Sequence, residues 1–158
     1  MTSALSRAKA EHVSDGLGDR DRSPLVLGCD SLFTMDGRTV GKPSGPSEAV
    51  ARIRGMRGGE GVLRTGHHLI DSATGTTASG VEATTVRFGP MTDTEVDAYV
   101  ATGEPLRVAG SFTLDGRSAP FVDGVDGDHT NVVGLSLPLL RRLLAELDRS
   151  VTDIWTSP

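Results

Sequence analysis

Two side chains in the stretch Leu25 to Pro43, LVLGCDSLFTMDGRTVGKP, have the types and spacing for chemistry on phosphates: the carboxylate of Asp30 and the ammonium of Lys42. The apolar run Leu25 to Leu27 predicts a buried strand that delivers Asp30 to its carboxyl end. A second short strand, Ser31 to Thr34, then turns over Asp36-Gly37 and returns through Arg38 to Val40. Asp-Gly between two such runs is a strong hairpin signal. Gly41-Lys42-Pro43 ends the return strand, because proline stops the pairing and glycine frees the backbone. A carboxylate and an ammonium carried on rigid elements suit a reaction in which a base or metal ligand works beside a fixed positive charge. Asp30 can take a proton from water or hold a Mg²⁺ ion that acidifies it. The structural alternatives are a strand-end aspartate that satisfies a turn and a solvated surface lysine.

The elements that must position these groups follow from periodicity. Ser3 to Val13 predicts a helix with Leu5, Ala8 and Val13 on one stripe, and the charged, glycine-containing Ser14 to Pro24 predicts a loop. Ser47 to Met56 predicts a second helix, capped by Ser47, with Glu48 in its first turn and Ala49, Val50, Ile53 and Met56 on one side. Val62 to Asp71 and Ser79 to Phe88 predict antiparallel strands around Ser72 to Thr77. Thr92 to Ala101 reads as a short helix with Thr92 and Glu95 spaced for a capping box. Strands are expected at Val108 to Leu114 and Ala119 to Val125, on either side of Asp115-Gly116-Arg117. Pro138 to Leu147 closes the series as a leucine-lined helix, and Ser150 to Pro158 is a tail of little predicted structure. Strands and helices alternate without regular βαβ units, so the fold class is α/β, a mixed sheet flanked by helices in one domain over residues 1–150.

Composition removes several function classes. With 158 residues the chain can bury roughly two-thirds of its unfolded surface in one core. Only 4% of residues are aromatic, so that core must lean on Val, Leu and Ala. The net charge of -5 argues against a broad nucleic-acid surface but not against one nucleotide, which needs only a few local cations. A single cysteine, Cys29, excludes an internal disulfide framework and fits a reducing compartment. No run approaches the ~20 apolar residues of a membrane span, and the N-terminus has no apolar signal core, so a cytoplasmic location is expected. His67 and His68 are adjacent and would point to opposite faces of a strand, which does not suit a shared metal. Asp123, Asp126 and Asp128 with Asn131 lack EF-hand spacing and read as a solvated turn before the last helix, with Asn131 to Gly134 as a structural segment.

Four ordered blocks carry a resemblance. They are Asp30 with Gly41-Lys42-Pro43; Ala98-Tyr99-Val100-Ala101-Thr102-Gly103-Glu104-Pro105; Ala109-Gly110; and Gly127 through Leu140, reading GDHTNVVGLSLPLL. In order and spacing they resemble the Maf family of nucleoside triphosphate pyrophosphatases, from about Leu5 to Leu147. The resemblance implies an elongated sheet with a central cleft between two lobes, similar to that of inosine triphosphate pyrophosphatases. It implies hydrolysis of a nucleoside triphosphate to the monophosphate and pyrophosphate with a divalent cation, Mg or Mn, and a role in clearing non-standard or surplus nucleotides. Asp30 matches the family's proton acceptor. Lys42, and Lys9 in the helix motif ending in Lys9-Ala10, match lysines that hold phosphates. Ser31 and Asp115 match positions that line the base pocket. The substrate is the only partner implied, with no nucleic acid and no membrane, and there is room for a homodimer.

Three departures qualify what the resemblance implies. Asp115 stands where the family has Gln, and an ionised Asp only accepts hydrogen bonds, so the usual pyrimidine preference does not carry over. Val108 stands where many relatives have Lys, and neighbouring Arg107 would face the opposite side of a strand. The family opens with a strand and a loop of the type Ser-x-Ser-x-Arg-Arg that holds the triphosphate, and nothing in Met1 to Leu27 matches it. On that reading the chain lacks its N-terminal phosphate-binding segment, and the alternative function is a non-catalytic nucleotide-binding or regulatory remnant of the fold.

Overall fold

The computed structural model describes residues 1–17 and 25–155. Its α/β fold is built on five strands in the order β2-β1-β3-β4-β5: β1 (Leu25–Met35), β2 (Arg38–Val40), β3 (Glu60–Asp71), β4 (Thr76–Phe88) and β5 (Val122–Asp126). The β1–β2 and β4–β5 pairs are antiparallel. Around the sheet lie α1 (Thr2–Gly16), α2 (Pro46–Met56), α3 (Asp93–Ala101), the short α4 (His129–Val133) and α5 (Leu137–Glu146). Two compact units divide the chain: Met1–Asp30, Thr65–Glu82 and Gly134–Pro158 make the first; Ser31–Arg64 and Ala83–Val133 make the second. The strands β1, β3 and β4 each run from one unit into the other.

In the first unit α5 buries Leu139, Leu140, Leu143 and Leu144 against Leu69 and Ala78. Its start is fixed by Ser136, whose hydroxyl accepts the Leu139 N–H at 3.1 Å. The stripe expected of α1 is not the buried one: Leu5 and Val13 are 44% and 52% exposed, while Thr2, Ser6 and Ala10 face inward. The reason is at Gly28, in the middle of β1. A Cβ there would overlap the carbonyl oxygen of Ser6 and stand 2.8 Å from the Ala10 nitrogen. Helix and strand approach so closely that only small side chains fit between them.

The second unit has the hairpin, with Phe33 opposite Val40 and Met35 opposite Arg38. Asp36 and Gly37 have φ of 49° and 71°, both in the left-handed region that a type I′ hairpin turn requires. The core here is an edge-to-face trio of Phe33, Phe88 and Phe112, with centroids 4.9–5.9 Å apart, joined by Met56, Leu63 and Val86. The α3 capping box is formed in full: Glu95 Oε2 accepts the Thr92 N–H at 2.7 Å, and Thr92 Oγ1 accepts the Glu95 N–H.

Several expectations are corrected. The helix α2 begins at Pro46 after Gly45, so Ser47 lies inside its first turn and is not the cap. No strand forms over Val108 to Leu114: residues 109–111 make a 3-10 turn in which Gly110 and Ser111 have φ of 77° and 61°. Only single residues at the ends of this turn, Val108 and Phe112, are extended, and Phe112 packs into the aromatic trio, so no run of strand forms and strand alternation does not govern Arg107 and Val108. Strand β5 starts at Val122, after a 3-10 turn at Ala119–Phe121. Before the last helix, Asp123 and Asp126 are exposed but lie in β5, not in a turn, while Asn131 in α4 is fully buried and its amide donates to Leu63 O and Thr84 Oγ1. Within the expected loop at Ser14 to Pro24, helix α1 continues to Gly16, and residues 18–24 lie outside the described residues. The tail forms a 3-10 turn at Val151–Ile154 capped by Ser150; residues 156–158 lie outside the description. Among the described residues no helix is long and apolar enough to cross a membrane.

Candidate active site

The first unit brings two of the sequence-predicted residues into contact. Lys9 Nζ lies 2.6 Å from Asp30 Oδ1 and donates at 3.0 Å to the carbonyl oxygen of Cys29. The Asp30 side chain is 16% exposed and Lys9 57%, so the ammonium sits at the surface over a half-buried carboxylate. Close docking of α1 on β1 at Gly28 produces this pair, because Lys9 lies between Ser6 and Ala10, the residues that meet Gly28. The ammonium that reaches Asp30 is thus supplied by a helix remote in sequence. Burial pushes the neighbouring Cys29 thiol above its ordinary value, opposed by Lys9, which makes it a poor nucleophile.

The second unit carries the other three. Ser31 follows Asp30 in β1 and is half-buried. Lys42 is exposed just after β2, beside a buried Pro43, and makes no ion pair among the described residues. Asp115 is exposed at the tip of the turn over residues 113–118. That turn is fastened from behind by Glu104, which the sequence marked only as a member of the block Ala98 to Pro105. Its carboxylate accepts from the Thr113 hydroxyl at 2.8 Å, the Arg117 N–H at 3.0 Å and the Tyr99 hydroxyl at 3.1 Å. Burial would raise the Glu104 pKa; these donors outweigh it and hold the carboxyl below its ordinary range. Burial likewise pushes the Tyr99 hydroxyl up to about 12, so it stays protonated and donating. The Ser118 hydroxyl completes the turn by accepting the Thr113 N–H at 2.7 Å.

The two adjacent histidines are structural. His67 Nε2 accepts the Ser136 N–H at 2.9 Å, so Nδ1 carries the proton and donates to Thr65 O. His68 Nδ1 lies 2.6 Å from the Ser79 hydroxyl, and burial, then Arg7, push its pKa down against the pull of Glu11. Among the described residues no three His, Cys, Asp or Glu side chains converge.

The family model for Maf-like proteins matches residues 1–147. The chain belongs to the Maf family. A nucleoside triphosphate pyrophosphatase of Streptomyces coelicolor is 56% identical over 152 residues, covering 96% of this chain and 73% of that protein. One of Salinispora tropica is 50% identical over 153 residues, covering 96% and 68%. A nucleoside triphosphate pyrophosphatase/Nudix hydrolase fusion protein of Bifidobacterium longum is 49% identical over 140 residues, which is 89% of this Maf chain and 29% of the fusion. Missing from the sequence reading were Gly28 and Glu104. An isolated glycine inside a strand pattern signals close backbone approach and was legible at Gly28. Glu104 bonds to residues 9 to 13 positions away in an irregular loop, which no periodicity announces.

Proposed function

We propose that this chain hydrolyses a nucleoside triphosphate between its α and β phosphorus atoms, giving a nucleoside monophosphate and pyrophosphate. The observation that carries the reading is the Lys9–Asp30 pair, a half-buried carboxylate under an exposed ammonium, in a chain of the Maf family. The names of the relatives from Streptomyces and Salinispora support it. Water attacks the α-phosphorus, an O–P bond forms, and the P–O bond to the β-phosphate breaks. Asp30 receives the proton of the attacking water. Lys9 and Lys42 neutralise phosphate charge as it grows on the departing pyrophosphate. Ser31 and Asp115 line the base pocket, where Asp115 accepts and does not donate, favouring a base edge that offers N–H groups.

A divalent cation, Mg or Mn, fits this donor set. With no three ligating side chains converging among the described residues, Asp30 and the triphosphate's own oxygens would hold it, the sparse protein ligation that Mg²⁺ favours. An ion so bound acidifies water and offsets phosphate charge. The setting we infer is the cytoplasm, in keeping with a single cysteine, and the service is removal of non-standard or surplus nucleotides.

The test is product analysis across a panel of nucleoside triphosphates with Mg²⁺ for the wild type and Asp30→Asn. Monophosphate and pyrophosphate are expected, with turnover lowered about 10²-fold in the variant. Orthophosphate and diphosphate as products would overturn the bond assignment, and tight binding without products would leave a nucleotide-binding protein in place of an enzyme.

A further inference from the structure

We infer that Arg52 and Glu48 are positioning residues for Lys42: they brace the main chain on both sides of it and so deliver its ammonium from a rigid loop. This rests on the reading of Lys42 as a phosphate-holding residue given above. Arg52 lies on α2 with its side chain only 11% exposed. Its Nη1 donates to the Gly41 carbonyl oxygen and, at 3.2 Å, to the Ser111 hydroxyl; its Nη2 donates at 2.6 Å to Glu48 Oε1. The other oxygen of Glu48 accepts the Ser44 N–H at 2.8 Å and the Ser44 hydroxyl at 2.6 Å. Gly41, just before Lys42, is therefore tied to Arg52, and Ser44, two residues after it, is tied to Glu48.

A Glu–Arg pair four residues apart ordinarily serves its own helix. Here each member also directs hydrogen bonds off the helix, into a loop whose exposed lysine makes no ion pair among the described residues. The Ser44 hydroxyl and N–H, and after them Arg52, hold the Glu48 carboxyl below its ordinary value, so the brace is ionised at neutral pH. The guanidinium reaches three partners in three directions from one plane, which a lysine ammonium on a thinner stem does not reproduce. With Pro43 buried as well, the backbone around Lys42 is restrained while its side chain stays open to a ligand. Preorganised charge of this kind acts on phosphate without a reorganisation step during reaction.

The experiment compares wild type with Arg52→Lys, Arg52→Ala, Glu48→Gln, Lys42→Ala and the double variant Arg52→Ala/Lys42→Ala. It follows thermal unfolding, amide hydrogen exchange and pyrophosphate release. In Arg52→Lys and Glu48→Gln the amides of Lys42 and Ser44 are expected to exchange about tenfold faster or more, while those of α3 and β4 keep their protection. The kcat should fall about 10- to 100-fold with KM little changed. Placed in the Lys42→Ala background, Arg52→Ala should add less than about threefold, because its effect passes through the lysine already removed. As a control, Arg54→Ala breaks only surface pairs of the same helix with Asp93 and Asp97 and should leave both readouts unchanged. Unchanged loop exchange in Arg52→Lys and Glu48→Gln overturns the inference whether or not the chain cleaves any triphosphate. An Arg52→Ala loss in kcat as large without Lys42 as with it overturns it too. Absence of pyrophosphate from every nucleotide with the wild type defeats the proposed reaction alone, and the exchange data still decide whether the brace exists.

Discussion

In the first unit the candidate groups touch each other, Lys9 on Asp30, and what holds them is backbone approach: α1 lies against β1 where Gly28 has no side chain. In the second unit Lys42 and Asp115 are exposed and without ion pairs among the described residues, and what is held is the chain that carries them. Arg52 and Glu48 brace one loop; Glu104 and Ser118 brace the other. The two arrangements differ in what must happen when a ligand arrives. On the proposed roles, Lys9 must exchange a carboxylate oxygen for a phosphate oxygen, whereas Lys42 and Asp115 need only remain where they are. Damage to the first unit should therefore change chemistry and docking together, and damage to the second should change position while leaving the groups intact.

The largest expected effect tests the first half of that contrast. Gly28→Ala puts a Cβ onto the Ser6 carbonyl oxygen, so α1 must move off β1 and carry Lys9 with it. Overpacking of this kind costs about 1–3 kcal/mol. Turnover should fall with stability, approaching the roughly 10²-fold loss of Asp30→Asn. The measurements are thermal unfolding and pyrophosphate release. A stable Gly28→Ala protein of full rate would show that backbone approach does not govern the pair. Lys42→Ala should behave in the opposite way. It should unfold with the wild type, since the side chain is exposed, and lose kcat about tenfold or more with KM nearly constant, because phosphate charge grows toward the transition state. A raised KM at constant kcat would make Lys42 a uniform binder.

Local signals foretold most elements and failed where a partner far along the chain decides. Asp36-Gly37 gave its hairpin and Thr92 with Glu95 its capping box, because both are complete within four residues. The leucine face of α5 was equally legible from period alone. Helix α1 was found but its buried face was misread, since the reading favoured large apolar side chains where Gly28 demands small ones. Residues Val108 to Leu114 look extended by composition, and left-handed backbone at Gly110 and Ser111 overrides that. Within the candidate site, Asp30 and Lys42 stood out because their immediate neighbours are distinctive. The roles of Arg52, Glu48 and Glu104 lie in contacts that sequence spacing hides.

A smaller effect is expected at the second braced loop. Glu104→Gln keeps shape and one acceptor oxygen, but the bonds that Thr113, Tyr99 and the Arg117 N–H make to Oε1 lose their charged acceptor, and the Arg117 N–H loses its second contact, 3.3 Å to Oε2, where an amide N–H₂ now stands. Stability should drop about 1–2 kcal/mol, the scale of hydrogen bonds to a charged group. With the Asp115 turn loosened, discrimination among bases should narrow through KM while kcat holds. Urea unfolding and KM across a nucleotide panel measure both. A fall in kcat with unchanged selectivity would detach Asp115 from base reading.

The smallest effect concerns acid. Asp71 in the first unit is 1% exposed and takes two bonds from Arg149, at 2.7 and 3.0 Å. That guanidinium, helped by the Ala73 N–H, outweighs burial and holds the carboxyl below its ordinary 3.8. Because the folded value is the lower one, the unfolded chain takes up the proton first as pH falls. The contribution is therefore complete above about pH 3.8 and is lost as pH drops through the folded value. Asp71→Asn should be less stable than wild type at pH 7, and its unfolding midpoint should change less below pH 4, so that the two curves converge. Glu104 in the second unit is also held below its ordinary 4.5, but mainly by hydroxyls and an N–H group. Raising salt should then shrink the wild-type advantage over Asp71→Asn, since Arg149 is 34% exposed, and leave the advantage over Glu104→Gln nearly constant. Equal salt sensitivity in both would mean that the two units anchor their carboxylates by the same means, and the contrast between them would fail at this point.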